Sequence, residues 1–164
     1  MNIGKSDIEI IKIMFAEMQT KQDLVKLLNF VKPFVYGKNS KPFELKQITW
    51  YSNPSLCKDR YKSFSIVKKS GSQRTIHAPK NGLKSIQKVL AVVLQCVFTP
   101  HYTATGFVPG KSILNNANIH LSNRYVYNID LKDFFHSIDQ ARFWKCLQLK
   151  PFSLVDNTFD ENGM

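Results

Sequence analysis

The sequence predicts an α+β fold, in which strands mix with packed helices, and two patterns carry that prediction. Between residues 61 and 78, polar and apolar side chains alternate around a short polar turn, as is typical of a β-hairpin. From residue 81 to 98, apolar side chains recur every three or four positions, as is typical of an amphipathic helix. The chain has 164 residues and is 43% hydrophobic, which is normal for a globular core.

Helical patterns occupy the first part of the chain. Residues 6–31 contain two of them, and Pro33 and Gly37 are expected to end the second helix. A third helix is expected over 43–50, closed by the turn signal at 52–54. These elements contain no chemical motif, so their expected role is that of a packing scaffold.

The hairpin and the helix after it give the clearest structural signals. Strands are expected over 61–67 and 73–78, and Gly71 in the turn between them can adopt positive φ. The helix over 81–98 is expected to bury one apolar stripe, whose members are Leu83, Ile86, Leu90, Val93, Leu94, Val97 and Phe98. Lys84 and Lys88 fall one turn apart on another face.

Three further elements are expected in the last part of the chain. A short helix is expected from Ser112 to Leu121. An apolar, β-prone run over 125–129 predicts a strand that ends at Asp130. A final helix is expected from about residue 139 to 149.

Charge is distributed unevenly along the chain. Residues 58–128 contain eleven Lys or Arg against the single acid Asp59, whereas residues 129–164 contain six acids against four bases. A basic half beside an acidic patch is expected of a protein that binds a phosphate backbone and holds a metal ion. The alternative is a lysine surface that serves solubility.

Other classes of protein are disfavoured. The cysteines (Cys57, Cys96 and Cys146) match neither a zinc spacing nor a disulfide framework, and are expected to be free thiols in a reducing cytoplasm. No signal peptide is expected, and the longest apolar stretch is too short to span a bilayer. The loop at 106–112 has three residues where a phosphate loop needs four, so an NTPase is rejected.

Asp130 and Asp133 are the candidate metal ligands. A carboxylate at the end of a strand is held rigidly by the sheet, and phosphoryl or nucleotidyl transfer needs such carboxylates to bind Mg²⁺. The alternative is an ordinary strand that ends in a turn, with Asp133 as the N-cap of the next helix.

Lys69 and Arg74 lie near the tip of the expected hairpin. A guanidinium and an ammonium placed together can clamp the triphosphate of a nucleotide. The alternative is that exposed hairpins carry lysine to prevent edge-to-edge pairing of strands.

Five blocks of sequence occur in an order that resembles a known family. They lie at 61–79, 83–87, 105–113, 116–120 and 128–135, and the last reads Asn-Ile-Asp-Leu-Lys-Asp-Phe-Phe. Together they resemble the fingers and first palm segment of a bacterial retron-type reverse transcriptase, over roughly residues 58–150. Group II intron reverse transcriptases share the looser pattern.

The resemblance implies an incomplete right-hand polymerase fold. Residues 1–57 would be an N-terminal helical region, 58–124 the fingers with their β-hairpin and long helix, and 125–164 the start of the palm. No Asp-Asp pair occurs in the chain, and the family carries one in a later Tyr-x-Asp-Asp segment. The chain is therefore expected to be an N-terminal fragment, inactive by itself.

The resemblance also assigns roles to residues. It makes Asp130 the first catalytic, metal-binding aspartate, with the Leu131 carbonyl as a second Mg²⁺ ligand. It places Asp133, Phe134 and Phe135 beneath the incoming nucleotide, where the Phe135 ring would exclude a ribose 2′-OH. His136 departs from the family, which often has proline there.

The remaining implied site is for nucleic acid. Its candidates are Lys84, Lys88, Lys111, Asn116 and His120, although His120 could equally be a hydrogen-bonding residue on a helix face. The implied partners are an RNA template, a DNA or RNA primer, dNTPs and a dedicated non-coding RNA, with a role in antiviral defence. A non-catalytic RNA-binding module and a metal-dependent nuclease using Asp130 and Asp133 are the alternatives.

Overall fold

Helices and one small sheet make up the part of the chain that the computed structural model describes, which is residues 3–155, with His136 described by its backbone alone. The helices in this range are α1 (Lys5–Ala16), α2 (Lys21–Tyr36), α3 (Leu45–Ser52), α4 (Asn81–Val97), α5 (Ile113–His120), a 3-10 helix (Phe134–Ser137) and α6 (Gln140–Gln148). Strands β1 (Tyr61–Val67) and β2 (Gln73–Pro79) form a two-stranded antiparallel sheet. The predicted α+β class is confirmed.

The chain divides into two compact units, which meet in sequence at Val97 and Phe98. The first unit contains α1 to α4 and the hairpin, and the second contains the elements that follow. The division lies inside the segment predicted to be the fingers, and the three-part domain organisation stays a prediction. Within residues 3–155, none of the helices combines the length and hydrophobicity that crossing a bilayer requires.

The core of the first unit forms where α1, α2 and α4 pack against one another. Its buried residues are Ile11, Phe15, Leu27, Leu28, Val31, Phe43, Cys57, Ile86, Val89, Val92 and Val93. The predicted stripe on α4 correctly contained Ile86 and Val93. It missed Val89 and Val92, because α4 contacts both α1 and α2 and so buries a wider face than one stripe.

Helix α2 begins with a capping box. The Thr20 hydroxyl accepts a hydrogen bond from the Asp23 N–H at 3.2 Å, and the Asp23 carboxylate accepts one from the Thr20 N–H at 3.1 Å. Hydrogen bonds from the side chains of Thr20 and Lys26 lower the pKa of Asp23 to about 2. The start of α2 is therefore stabilised most when this carboxylate is ionised.

The expectation that Pro33 ends α2 was wrong. Pro33 lies inside the helix, which continues to Tyr36 and ends at Gly37, where φ is 87°. Proline removes one N–H donor from the helix, but packing of the apolar face supplies most helical stability in a folded protein. Buried Leu28 and Val31 precede Pro33 on the same helix, and the Gly37 N–H donates to the Pro33 carbonyl at 2.9 Å.

The second unit contains no buried residue among those of 98–155 whose side chains are described. Its helices α5 and α6 lie close to their predicted positions. The strand predicted over 125–129 was wrong, since these residues form no regular structure. A β-prone run becomes a strand only when another strand pairs with it, and in residues 3–155 β1 and β2 pair with each other alone.

Candidate nucleotide and nucleic-acid site

The tip of the hairpin is a tight three-residue loop. Strands β1 and β2 pair through Val67 and Gln73, and the Lys68 N–H donates to the Ser72 carbonyl at 2.8 Å. The Gly71 N–H donates to the Lys68 carbonyl at 2.9 Å, and Gly71 adopts a φ of 82°. This is the geometry of a loop closed by a glycine bulge, and it places Lys69 at the tip. The predicted hairpin and the positive φ of Gly71 are confirmed.

Arg74 lies beside apolar side chains on one face of the hairpin, which also carries Lys62. It pairs with Ile66, and the next pair on that face is Phe64 with Ile76. The side chains of Phe64 and Ile66 are 51% and 44% exposed. This face therefore offers a guanidinium next to open apolar surface, a combination that suits a phosphate joined to a ring.

Neither Lys69 nor Arg74 has a side-chain partner among the described residues. Both side chains are exposed, and neither forms an ion pair with a carboxylate of the described residues. An unpaired Arg can accept a phosphate with two parallel hydrogen bonds, whereas Lys acts as a point charge. The hairpin tip can therefore bind an anion without first breaking an ion pair.

The base of the hairpin is braced by polar contacts. The Lys80 ammonium pairs with the Asp59 carboxylate, and this hydrogen bond lowers the pKa of Asp59 and raises that of Lys80. The Lys80 N–H donates to the Arg60 carbonyl, and the Arg60 guanidinium donates to the Tyr51 carbonyl, both at 2.9 Å. These contacts fix the start and end of the hairpin relative to α3.

Lys84 and Lys88 lie on the exposed side of α4, as the helical pattern predicted. The Lys88 ammonium lies 5.2 Å from the centroid of the Tyr36 ring of α2. Both lysines belong to the same compact unit as Lys69 and Arg74. The first unit therefore brings four of the predicted basic residues onto exposed positions of one body.

The other nucleic-acid candidates belong to the second unit. Lys111 ends a turn in which its N–H donates to the Val108 carbonyl at 3.1 Å. Asn116 and His120 are exposed and lie four residues apart on α5, so their side chains share one face. The structure thus presents these two side chains side by side.

The Asp130 segment is exposed and has no regular secondary structure. Asp130 and Leu131 lie in it, and Asp133 adopts a left-handed conformation with φ of 52° immediately before the 3-10 helix. Asp133 is the N-cap residue of that helix, as the alternative interpretation expected, but its carboxylate accepts no hydrogen bond from a helix N–H. Asp139 performs that role for α6 and accepts a hydrogen bond from the Arg142 N–H at 2.7 Å.

Phe134 and Phe135 follow with their rings in edge contact, the centroids 5.4 Å apart and the planes at 69°. Phe135 is 76% exposed and Phe134 46% exposed. The Ser137 hydroxyl donates to the Phe134 carbonyl at 2.7 Å, which holds the short helix in place. Phe135 therefore presents a ring that another molecule can contact.

These segments match a known family. The family model described as reverse transcriptase (RNA-dependent DNA polymerase) matches residues 66–159, more than half of the chain and a range that includes every predicted site residue. The chain belongs to the reverse transcriptase family. The resemblance recognised in the sequence is thereby confirmed.

Individual proteins that are similar to this chain are retron reverse transcriptases. The retron Mx65 reverse transcriptase of Myxococcus xanthus is 43% identical over 82 residues, which are 50% of this chain and 19% of the relative. The retron Mx162 reverse transcriptase of the same organism is 46% identical over 83 residues, covering 50% and 17% of the two chains. The retron Ec83 reverse transcriptase of Escherichia coli is 34% identical over 96 residues, covering 58% and 31%. The chain thus spans less than a third of each relative. No solved structure matches it.

The oxygen atoms of Asp130 and Leu131 are of the chemical type that binds Mg²⁺. A carboxylate and the Leu131 carbonyl are hard oxygen ligands, and Mg²⁺ is usually bound by one or two carboxylates together with water and substrate phosphates. Among residues 3–155 whose side chains are described, no three His, Cys, Asp or Glu side chains cluster closely enough to hold a metal. Asp130 and Leu131 therefore offer oxygen donors of the kind that Mg²⁺ uses, without a cage of protein ligands among the described residues.

One group of polar residues was missed by the sequence analysis. Lys32, Lys41, Lys46 and Trp50 line a cleft among the N-terminal helices, to which only a packing role had been assigned. The signal available in the sequence was a set of lysines interleaved with aromatic residues between positions 32 and 51. Helical periodicity does not reveal it, because the cleft is formed by a loop and two helices together.

Proposed function

We propose that this chain provides the fingers and first palm segment of an RNA-directed DNA polymerase that extends a primer along an RNA template with dNTPs. The observation that carries the proposal is the hairpin tip. Lys69 and Arg74 are exposed, unpaired within the described residues, and lie inside the segment that matches the family. Two such cations suit the triphosphate of an incoming nucleotide.

Each residue of the nucleotide site has a distinct role in this proposal. Arg74 grips phosphate oxygens with its planar fork, and Lys69 adds a mobile positive charge. The exposed apolar face beside Arg74 leaves room for the nucleotide itself. Phe135 closes the space that a ribose 2′-OH would need, and Asp133 and Phe134 lie beneath the triphosphate and sugar.

Asp130 and the Leu131 carbonyl would hold Mg²⁺ in this proposal. When bound, the ion neutralises charge that develops on the phosphate oxygens during nucleotidyl transfer. Asp130 contributes by presenting its carboxylate from an accessible segment. Its substitution removes the one carboxylate that the proposal assigns to the metal.

The template and primer would contact the basic and polar residues of both units. Lys84 and Lys88 neutralise backbone phosphates, and Lys111, Asn116 and His120 guide the template strand. Phosphate contacts position a nucleic acid without reading its bases, so binding should tolerate many sequences. A dedicated non-coding RNA, action in the cytoplasm and a role in antiviral defence belong to the same proposal.

A primer-extension assay with the full-length protein tests the proposal. With an RNA template, Mg²⁺ and dNTPs, we expect Asp130→Asn to abolish extension. Arg74→Ala should raise KM for dNTPs by roughly tenfold or more, the effect of losing a charged hydrogen bond of about 1.5–3 kcal/mol. Arg142→Ala is the matched control, because Arg142 is exposed and, among the described residues, its guanidinium pairs only with Asp139, the N-cap of α6.

Two results would count against the proposal. Extension that persists in Asp130→Asn would show that Asp130 is not a metal ligand. Tight binding of primer–template without any extension by the unmodified protein would instead favour the non-catalytic RNA-binding module.

A further inference from the structure

A cleft of about 750 Å³ opens in the first unit, lined mainly by α2, α3 and the segment that joins them. Its chemically distinctive lining residues are Lys32, Lys41, Glu44, Lys46, Trp50 and Tyr51. A volume of this size is typical of sites that bind small molecules or single units of a polymer. The cleft lies outside residues 66–159, the segment that matches the reverse transcriptase family.

One wall of the cleft is held in place before any ligand arrives. The Asn29 amide donates to the Phe43 carbonyl at 2.9 Å and accepts from the Phe43 N–H at 2.6 Å. The Phe43 ring is buried, and the Lys32 ammonium lies 3.6 Å from its centroid and donates to the Lys41 carbonyl. A site held in this way loses little conformational entropy on binding.

The cleft carries an excess of positive charge. Three lysines line it against one glutamate, and the Lys41 ammonium has no partner among the described residues. Lys46 pairs with Glu44 at 2.9 Å, but both side chains are largely exposed, at 85% and 62%. An exposed pair of this kind contributes little and is easily exchanged for a phosphate. Burial also lowers the pKa of Lys32, as expected for an ammonium partly removed from water.

An exposed aromatic ring lies among these charges. Trp50 is 49% exposed, although tryptophan is usually well buried in folded proteins. Proteins that bind single-stranded nucleic acid combine a basic groove with aromatic rings on which bases stack. The cleft contains both features.

Tyr51 connects the cleft to the basic hairpin. Its carbonyl accepts the hydrogen bond from Arg60 at the hairpin base, and its ring packs so closely on Gly82 of α4 that a Cβ there would clash. The cleft, the hairpin and α4 are thus parts of one compact unit. A strand that contacts the hairpin or α4 would therefore lie on the same compact unit as the cleft.

We infer that this cleft binds single-stranded RNA, with one base stacked on Trp50 and the adjacent phosphates on Lys41 and Lys46. The inference rests on the proposed function in that RNA is taken to be the protein's partner. It adds a second contact site for RNA, separate from the hairpin and from the residues assigned to template and primer.

Tryptophan fluorescence tests the inference directly. The chain has two tryptophans, so Trp144→Phe leaves Trp50 as the sole emitter. In that background, a short unstructured RNA oligonucleotide should quench the emission to saturation. Adding Lys41→Ala and Lys46→Ala should raise the apparent Kd for RNA at least about fivefold. These substitutions keep the backbone carbonyl of residue 41, so the hydrogen bond that holds Lys32 is retained. Trp50→Ala, followed with a labelled RNA, should weaken binding roughly 5- to 150-fold, the range for loss of base stacking.

The matched control is the pair Lys5→Ala and Lys21→Ala. These lysines are exposed at the first residues of α1 and α2, and their removal changes the net charge equally. Equal weakening by the control pair and the cleft pair would overturn the inference, as would the absence of quenching. Uridine monophosphate that quenches as tightly as the oligonucleotide would show a nucleotide site rather than a strand site. Polyglutamate serves as a probe for an acidic protein partner. That partner would be favoured if polyglutamate binding required Lys41 and Lys46 but not Trp50, and if RNA binding required none of the three.

Failure of this inference is distinguishable from failure of the proposed function. The double substitution Lys69→Ala and Arg74→Ala should leave the quenching of Trp50 by RNA intact. In the full-length protein, the same substitutions should raise KM for dNTPs. If RNA quenches Trp50 but the full-length protein does not extend a primer, the polymerase proposal is refuted and the RNA-binding cleft is supported. If the full-length protein extends a primer normally but RNA does not quench Trp50, the polymerase proposal is supported and the RNA-binding cleft is refuted.

Discussion

Replacing Asn29 with alanine should lower the free energy of unfolding by about 2–3 kcal/mol. The Asn29 amide makes two hydrogen bonds to the backbone of Phe43, at 2.9 and 2.6 Å, across a partly buried interface. Each such bond contributes about 1 kcal/mol net, which gives about 2 kcal/mol for the pair, and the Phe43 backbone groups left without a partner raise the loss towards about 3 kcal/mol. Phe43 itself is 3% exposed, so water replaces the lost partners only in part.

Urea denaturation followed by far-ultraviolet circular dichroism measures this effect. The midpoint should fall while the slope m stays unchanged, because the same surface is exposed on unfolding. Asn39→Ala is the control, since Asn39 is exposed in the turn after α2 and should change stability by less than about 0.5 kcal/mol. A loss for Asn29→Ala no larger than that of the control would refute the reasoning and show that water satisfies the Phe43 backbone.

Three further predictions follow from the charges and rings described above. Because the pKa of Asp23 is lowered from 3.8 to about 2 in the folded protein, its contribution to stability is present above pH 3.8 and is lost as the pH falls through about 2. The melting temperature of the unmodified protein should therefore fall across that pH range by more than the melting temperature of Asp23→Asn. Melting temperatures that change in parallel with pH would contradict this prediction. In the full-length protein, Phe135→Ala should admit ribonucleotides in a comparison of dNTP and rNTP incorporation, with Phe143→Ala as the control at an exposed ring of α6 that has no assigned role; unchanged discrimination would make Phe135 a packing residue. RNA binding should fall steeply with salt, with a log–log slope of roughly −3 to −5 if about four to six phosphates are neutralised, and a flat titration would exclude an electrostatic interface.

Local sequence patterns determined most of the first unit. The alternation on either side of Gly71 predicted the hairpin and its turn, since period-two burial and a residue tolerant of positive φ are properties of neighbouring residues. The apolar spacing of α4 predicted that helix nearly to its ends for the same reason. Five ordered blocks also identified the family, because their residue types and spacing are visible without any structure.

Tertiary contacts decided what those patterns left open. The run at 125–129 has the composition of a strand, but a strand needs a partner to satisfy its backbone, and that information lies elsewhere in the chain. Pro33 carries a local signal to end a helix that the packing of α2 overrides.

The cleft near Trp50 shows the same limit at a candidate site. Asn29 reaches Phe43 across 14 residues of sequence, and that contact holds the wall on which the lysines lie. No periodicity encodes such a contact, because it depends on how a loop folds back onto a helix. The sequence by itself predicted nucleotide and RNA contacts only between residues 69 and 135, whereas the packing of α2, α3 and their connecting segment brought Lys41, Lys46 and Trp50 into one cleft, because that packing depends on contacts between residues distant in sequence.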